Sequence, residues 1–294
     1  MFDDLRSVSN AEDTLFPPKI TLQIKGNLFA LDQPWIMGII NSTPDSFYEG
    51  SRINGGKKEV LIKAESMIAQ GAHILDIGGY SSRPGADFVS EETELKRLIS
   101  VITDIKERFS GILVSIDTFR HRVAKEAVAA GADLVNDISG GNLDPKMQET
   151  VGNLGIPYIC MHMKGEPRNM QAFTDYEHLE KELLYFFSEK ISSCYKAGIK
   201  DVIVDLGLGF SKNLEQNYRL IRNLAYFKTL QLPILVGLSR KSMIYKLLKS
   251  SPEEALNGTT ALHMAALMNG ANILRVHDVK EANETLKIYK QLYT

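Results

Sequence analysis

Residues 112–141 read ILVSIDTFRHRVAKEAVAAGADLVNDISGG, and this stretch decides the fold. It opens on a β-branched run, 112–117, which predicts a buried strand. The amphipathic segment Arg120–Ala130 predicts a helix, and the following Gly131 suits the left-handed residue that closes one. A second apolar run, 133–137, predicts another strand. A strand, a helix and a strand in such close succession predict two parallel strands of one sheet.

The same alternation recurs along the chain. The strand-length runs are WIMGII (35–40), HILDIG (73–78), ILVSID (112–117), DLVND (133–137), PYICMH (157–162), VIVDLG (202–207), ILVGLS (234–239) and NILRVH (272–277). The helical segments are Lys57–Gln70, Glu91–Phe109, Arg120–Ala130, Asp144–Leu154, Tyr176–Ala197, Leu214–Leu224, Ser242–Lys249 with Gly258–Met268, and Val279–Tyr293. This regularity favours a closed barrel over an open sheet. We therefore predict an α/β fold, a single-domain (β/α)8 TIM barrel over residues 34–294, after a short N-terminal leader, residues 1–33.

The overall composition argues against several classes of protein. The 34 Lys and Arg against 36 Asp and Glu leave a net charge of −2, which gives no basic field for nucleic acid or an anionic membrane. The apolar runs fall far short of the ~20 residues that a membrane span needs. The first residues are acidic and lack the apolar core of a secretion signal. Cys160 and Cys194 form no CxxC pattern and are interpreted as buried thiols. We expect a cytoplasmic protein with small-molecule substrates and no nucleic-acid or membrane partner.

Reactive side chains stand where the predicted strands end. They are Asn41, Asp76, Asp117, Asn136, Asp137, His162, Asp205, Ser239, Arg240, Lys241, Arg275 and His277. The carboxyl ends of barrel strands meet on the face where TIM-barrel active sites form. A single Asp at such a position often caps the next helix, but capping does not explain the whole set. Asp117, Asn136 and Asp205 together suit a ligand rich in N–H donors, such as an amino-substituted nitrogen heterocycle.

Cationic side chains gather after the last two predicted strands. Lys241 begins a helix, where the macrodipole disfavours a cation, so a ligand explains it better than a solvated surface position. Ser242 can hold an anion oxygen together with free backbone N–H groups, although an ordinary helix cap has the same appearance. Arg275 and His277 end the eighth strand, close to where TIM barrels commonly bind phosphate. The sequence therefore predicts an anion site here.

Two long loops follow the first two predicted strands. Asn41–Gly56 contains Phe47, and Gly79–Ser90 contains Arg83. Rigid turns would account for the Pro and Gly residues of these loops, but turn chemistry needs neither an exposed Phe nor an Arg. We interpret both segments as loops that cover a substrate.

Ordered motifs along most of the chain carry a family resemblance. They are MGIINSTPDSF (37–47), LDIGGYSSRPGA (75–86), SIDTFR (115–120), NDISGG (136–141), MHMKGEP (161–167), DLGLGFSK (205–212), GLSRKSMI (237–244), GTTAL (258–262) and RVHDV (275–279). From about Pro34 onwards the chain resembles the dihydropteroate synthase family. The resemblance implies a transferase of folate biosynthesis and a sulfonamide target. Such an enzyme condenses (7,8-dihydropterin-6-yl)methyl diphosphate with 4-aminobenzoate, giving 7,8-dihydropteroate and pyrophosphate. It also implies Mg²⁺ as cofactor and a homodimer.

The resemblance assigns roles to individual residues. The pterin-binding set would be Asp117, Asn136, Met161, Asp205 and Lys241, with Asp117, Asp205 and Lys241 catalytic. The diphosphate-binding set would be Asn41, Ser82, Arg275, Val276 and His277. The aminobenzoate-binding set would be Phe47, Arg83, Pro84, Phe210, Lys241 and Ser242. Asn41 would also ligate Mg²⁺ together with phosphate oxygens, in the oxygen coordination that this ion prefers.

The chain departs from the commonest family pattern at three positions. Ser82 stands where many members have Thr, and its hydroxyl still donates and accepts. Leu206 stands where many members have Pro, which changes backbone stiffness more than chemistry. Tyr80 stands where many members have Glu, and the sequence gives it no role.

Two other functions fit part of the pattern. A pterin-dependent methyltransferase would share the pocket of Asp117, Asn136 and Asp205, but it would not need the cations of the anion site. A non-catalytic pterin-binding module would keep the same pocket and could dispense with Asn41 and His277. Both residues are present. Release of pyrophosphate from the pterin diphosphate distinguishes the synthase from either alternative.

Overall fold

Eight parallel strands close into a barrel, in which the third to the ninth strands follow in chain order and the last strand lies beside the third. The strands β1 to β10 are Thr21–Ile24, Asn27–Ala30, Trp35–Asn41, Ile74–Gly78, Leu113–Asp117, Leu134–Asp137, Tyr158–Met161, Val202–Asp205, Ile234–Val236 and Ile273–Val276. The computed structural model describes residues 20–41, 55–79 and 89–293. The last strand pairs with β3 and closes the ring, which places Arg275 opposite Met37. The predicted TIM barrel and its eight strands are confirmed.

A helix layer surrounds the barrel. Helices α1 to α9 are Gly55–Ala69, Glu91–Arg108, His121–Ala129, Met147–Leu154, Leu179–Lys196, Leu214–Arg222, Ser242–Leu248, Leu256–Met268 and Val279–Tyr293. Local capping sets several of their ends. The Ser90 side chain accepts a hydrogen bond from Thr93 N at the start of α2, and Asn213 forms a capping box with Gln216 at the start of α6. Within the described ranges, no helix is long and apolar enough to cross a membrane.

Side chains along each barrel strand alternate between the helix layer and the barrel interior. Outward-facing residues such as Ile36, Leu75 and Val204 belong to the large core between sheet and helices. The inward-facing residues at the amino-terminal end form a second buried cluster. It contains Met37, Ile74, Leu134, Ile159, Ile203, Leu235 and Ile273. This apolar floor fills the lower barrel, so a ligand can enter only from the carboxyl end.

A β-hairpin, residues 21–30, covers the amino-terminal end of the barrel. Its strands β1 and β2 pair antiparallel, and Leu22 and Ile24 join the apolar floor together with Trp35. Lys25 Nζ forms a salt bridge of 2.8 Å with Asp133 Oδ1, next to β6. The sequence places this part of the chain in the leader, residues 1–33, and predicts no element there, because no helical segment follows either short strand to continue the strand–helix repeat.

We expect the hairpin to contribute to stability through its buried leucine. Leu22 is 1% exposed, and replacing it with Ala leaves a cavity under the barrel. Leu22→Ala should lower the free energy of unfolding by about 3 kcal/mol. Leu28 of the same hairpin is 72% exposed, so Leu28→Ala is the matched control, with a change within ~0.5 kcal/mol. Urea titration measures both, and equal midpoints for the two variants would contradict this role.

Candidate active site

A layer of polar side chains lies above the apolar floor, towards the carboxyl ends of the barrel strands. Its members stand two residues beyond a floor residue of the same strand and therefore also face inward. They are Asp76 on β4, Asn136 on β6, Asp205 on β8 and Arg275 on β10, with Met161 on β7 as an apolar member. Asp117 ends β5 and stands opposite Asn136 in the register. The barrel thus gathers carboxylates, an amide and a guanidinium at one mouth.

Arg275 crosses the acidic side of this mouth. Its Nε donates to Asp76 Oδ2 at 2.6 Å, and its Nη2 donates to Asp117 Oδ2 at 2.6 Å. The same Asp76 oxygen accepts a hydrogen bond from Asn136 Nδ2 at 3.1 Å. One buried carboxylate therefore orients both the guanidinium and the amide, and charge-assisted bonds of this kind are strong and directional.

Asp76 is a site residue that the sequence analysis noted at a strand end but gave no role. It is fully buried and holds both Arg275 and Asn136. Strand alternation was a usable signal, because Asp76 stands two residues after Ile74 and must face the same interior. Its main partner was not readable, since Arg275 lies 199 residues further along the chain.

Asp205 and Lys241 form the other side of the mouth. Asp205 Oδ1 accepts a hydrogen bond from Gly207 N at 2.8 Å. Lys241 Nζ donates to Leu208 O at 2.6 Å and lies 4.7 Å from the centre of the Phe210 ring. Burial raises the pKa of Asp205, and the Lys241 ammonium opposes that rise. Burial lowers the pKa of Lys241 to about 8, and Asp205 opposes that fall. Asp205 and Lys241 thus each stabilise the charged form of the other at a site that little water reaches.

The structure brings most of the other predicted residues to the same end of the barrel. Met161 and Phe210 belong to one small apolar cluster, together with Ile138 and Met163. The remaining predicted positions are Asn41 at the end of β3, Ser242 at the start of α7, Val276 at the end of β10 and His277 directly after it. Phe47, Tyr80, Ser82, Arg83 and Pro84 lie outside the described residues.

Val276 and His162 are strand-end residues whose side chains do not point into the barrel. The Val276 side chain is part of the core between sheet and helices, so any contact of this residue with a ligand uses its backbone. The His162 ring packs edge to face against Phe186 of α5, with centroids 4.8 Å apart. Both side chains follow the strict alternation of their strands, in which every second residue faces the helices.

Two groups at the mouth are expected to give a bell-shaped pH profile. Burial raises the pKa of Asp117 to about 7, with Arg275 opposing and Asp76 adding to the rise. Below that pH Asp117 is protonated and no longer offers a carboxylate acceptor, and above about pH 8 Lys241 loses its positive charge. We expect kcat/KM to be highest between these values and to fall on both sides.

The variants that test this profile remove one limb each. Asp117→Asn should flatten the acid limb and keep the alkaline limb, whereas Lys241→Met should do the reverse. Limbs that persist unchanged in these variants would show that groups other than Asp117 and Lys241 set the profile.

A closed parallel barrel with buried carboxylates, an amide and cations at the carboxyl ends of its strands has the layout of a TIM-barrel enzyme. The chain belongs to the pterin binding enzyme family, whose model matches residues 37–277.

Relatives in this family match the chain over nearly its whole length. The dihydropteroate synthase of Escherichia coli strain K12 is 42% identical over 266 residues, which cover 90% of this chain and 93% of the relative. The dihydropteroate synthase of Synechocystis is 42% identical over 282 residues, 95% of this chain and 96% of the relative.

Solved structures of dihydropteroate synthases agree with the fold. The Yersinia pestis enzyme with a sulfonamide drug complex has a TM-score of 0.87 at 40% identity, covering 93% of this chain and 99% of that one. The Xanthomonas albilineans enzyme with 4-aminobenzoic acid has a TM-score of 0.87 at 35% identity, covering 94% and 98%.

Proposed function

We propose that this protein is a dihydropteroate synthase, a transferase of folate biosynthesis that joins (7,8-dihydropterin-6-yl)methyl diphosphate to 4-aminobenzoate. The products are 7,8-dihydropteroate and pyrophosphate. The full-length similarity to synthases of this name supports the assignment. The observation that carries it is the set of buried carboxylates and the amide facing one barrel mouth, with Lys241 beside them.

The acidic side of the mouth suits the pterin ring. The amino-pyrimidine edge of a pterin presents N–H donors, and Asp117, Asn136 and Asp205 present oxygen acceptors. Lys241 is a donor for the ring's acceptor atoms, and Met161 offers an apolar contact in the same mouth. A low-dielectric site strengthens each of these interactions, provided every buried group finds a partner.

Cleavage of the bond between the pterin methylene and the diphosphate separates charge. The electron pair leaves with pyrophosphate, while positive charge remains on the methylene and is shared by the ring. The carboxylates of Asp117 and Asp205 stabilise that positive charge, and Arg275 and His277 stabilise the leaving group. The arylamine nitrogen then forms the new C–N bond and gives up a proton.

Mg²⁺ is proposed as the cofactor at the diphosphate end. Asn41 ends β3 on the inward-facing parity of Met37 and offers a side-chain oxygen at the mouth. Among the described residues, no three His, Cys, Asp or Glu side chains converge as a ready-made cage. The ion would be held by the Asn41 oxygen together with substrate phosphates. When bound, Mg²⁺ would neutralise charge on the diphosphate and so make it a better leaving group.

The aminobenzoate end is proposed to lie at the start of α7. Lys241 and Ser242 stand there, and Phe210 provides an aromatic wall. The ammonium of Lys241 and the first-turn N–H groups of the helix attract the substrate carboxylate. Phe47, Arg83 and Pro84 are proposed as the other walls, and Ser82 as a contact to the diphosphate substrate; these four remain predictions from the sequence.

The function is tested by mixing the protein with both substrates and Mg²⁺. We expect stoichiometric release of pyrophosphate and formation of dihydropteroate. A folded protein that binds the pterin but releases no pyrophosphate would overturn the synthase in favour of a binding module. Methyl transfer from methyltetrahydrofolate to a thiol acceptor would instead favour the methyltransferase. Sulfonamides should compete with 4-aminobenzoate in the same assay, since the Yersinia pestis relative was solved with such a drug.

We propose that the protein acts as a homodimer in the cytoplasm. Large apolar side chains are exposed on the neighbouring helices α7, α8 and α9. They are Leu247, Leu248, Met268, Ile288 and Leu292. An apolar face of this kind is typical of a subunit interface. Sedimentation should give twice the chain mass, and Ile288→Glu should give the monomer. The free buried thiols of Cys160 and Cys194 suit a reducing compartment.

A further inference from the structure

Lys212 is a buried cation whose hydrogen bonds all go to neutral acceptors. It is 3% exposed, and its Nζ donates to Gly207 O at 3.1 Å and to Phe210 O at 3.0 Å. Its third partner is His162 Nδ1 at 3.1 Å. Burial lowers the pKa of His162, and its Nδ1 accepts because an ammonium can only donate. Burial also lowers the pKa of Lys212 to about 7, although Asp205 opposes this. Such a cation is a costly way to fill a core.

Two of the three acceptors of Lys212 are carbonyls of the loop between β8 and α6, to which Lys212 itself belongs, and they flank the contact made by Lys241. Lys212 holds the carbonyls of Gly207 and Phe210. Lys241 bonds the carbonyl of Leu208 between them and lies over the Phe210 ring. Two ammonium groups, Lys212 within the loop and Lys241 at the start of α7, therefore bind neighbouring carbonyls of this loop.

The back of the loop cannot move towards β7. Gly207 has a left-handed conformation with φ +66°, and a Cβ there would lie 2.1 Å from His162 O. Its N–H donates to Asp205 Oδ1 at 2.8 Å, which joins the loop to the carboxylate of the mouth. Only glycine permits this close approach. Because Gly207 N is bonded to Asp205, a small shift of the loop would also move a side chain of the mouth.

We infer that Lys212 is a positioning residue for the proposed reaction. Together with His162 it fixes the β8–α6 loop, so that Leu208 O and the Phe210 ring hold the Lys241 ammonium in its working position. In this role Lys212 acts through Lys241 and needs no contact with either substrate. The inference rests on the proposed function, because the reaction supplies its readout.

The first test replaces the buried ammonium with an isosteric apolar chain. Lys212→Met should lower kcat/KM by about 10- to 100-fold, because sub-ångström to 1 Å displacements of catalytic groups have effects of this size. Lys164→Met is the matched control. The Lys164 ammonium faces Asp175 O and Glu182, and its loss should change kcat/KM by less than about twofold.

A double-mutant cycle separates positioning from a purely structural role. If Lys212 acts through Lys241, then Lys212→Met should have little further effect, under about threefold, in a Lys241→Ala background. Additive losses in the double variant would overturn the inference. Failure of the wild-type protein to release pyrophosphate would instead refute the proposed function, so the two failures are distinguishable.

His162 gives an independent test if Lys212→Met does not fold. His162→Leu removes the acceptor and should lower kcat/KM in the same direction, again without additivity to Lys241→Ala. His162→Gln retains a side-chain acceptor and should recover most of the activity. If His162→Leu keeps most of the wild-type kcat/KM and His162→Gln does not, the ring only fills space and the inference is overturned.

Discussion

Lys241→Ala is expected to lower kcat/KM at least ~100-fold, which corresponds to ~2.7 kcal/mol of lost transition-state stabilisation. The Lys241 ammonium is attracted by the Asp205 carboxylate and lies 4.7 Å from the centre of the Phe210 ring, where the proposed pterin and aminobenzoate sites meet. Its removal leaves the buried carboxylate without its main compensating charge. It also removes a donor that both substrates use in the proposed mechanism. The kcat/KM of the variant is obtained from steady-state rates of pyrophosphate release, with the concentration of each substrate varied in turn.

The matched control for this prediction lies on the same helix. Lys246 is exposed on α7, so Lys246→Ala makes the same chemical change away from the mouth. Its kcat/KM should stay within about twofold of the wild-type value. Activity of Lys241→Ala within threefold of wild type would show that Lys241 is misassigned, provided the variant unfolds at the wild-type urea concentration.

The fold was predictable because a barrel repeats one local pattern. Strand-length runs and amphipathic segments alternate eight times along the chain, and the ring then follows from the number of repeats. The hairpin 21–30 lacks that advantage. Each of its strands is stabilised by long-range contacts of one or two side chains, such as Leu22 against Trp35, and a local pattern does not contain such contacts.

The candidate site was predictable as a set of positions but not as a set of contacts. The strand ends indicated that Asp117, Asn136 and Arg275 would meet at one mouth. The sequence analysis placed Arg275 with the anion site, whereas the structure pairs it with Asp76 and Asp117. Charge complementarity across the barrel joins residues that are distant along the chain, and spacing carries no information about it.

The position of Arg275 has a consequence for ligand binding. Its guanidinium donates a hydrogen bond to Asp117 Oδ2, one of the acceptors proposed for the pterin. The N–H donors of a pterin must therefore compete with Arg275 for this oxygen, while Asp76 keeps hold of the guanidinium through Nε. Arrival of the diphosphate would offer Arg275 a new anionic partner and release the carboxylate. The two ends of one substrate would then assist each other's binding.

Asp205→Asn is expected to lower kcat/KM at least ~100-fold, again ~2.7 kcal/mol or more. The carboxylate is buried at the end of β8 and its Oδ1 is already bonded to Gly207 N. An amide at this position turns one acceptor into a donor, which would face the N–H groups proposed for the pterin. It also removes the negative charge that offsets Lys241 and Lys212, so two cations would share the mouth without it.

The loss should appear in binding as well as in turnover, because the proposed mechanism places the Asp205 carboxylate against the pterin ring in the ground state. Calorimetric titration with a pterin should show weaker affinity for Asp205→Asn, whereas a variant that lost only transition-state interactions would bind normally. Asp32→Asn makes the same change at an exposed position beyond the floor of the barrel and should leave both quantities unaltered. Wild-type affinity together with wild-type turnover in Asp205→Asn would remove Asp205 from the pterin site.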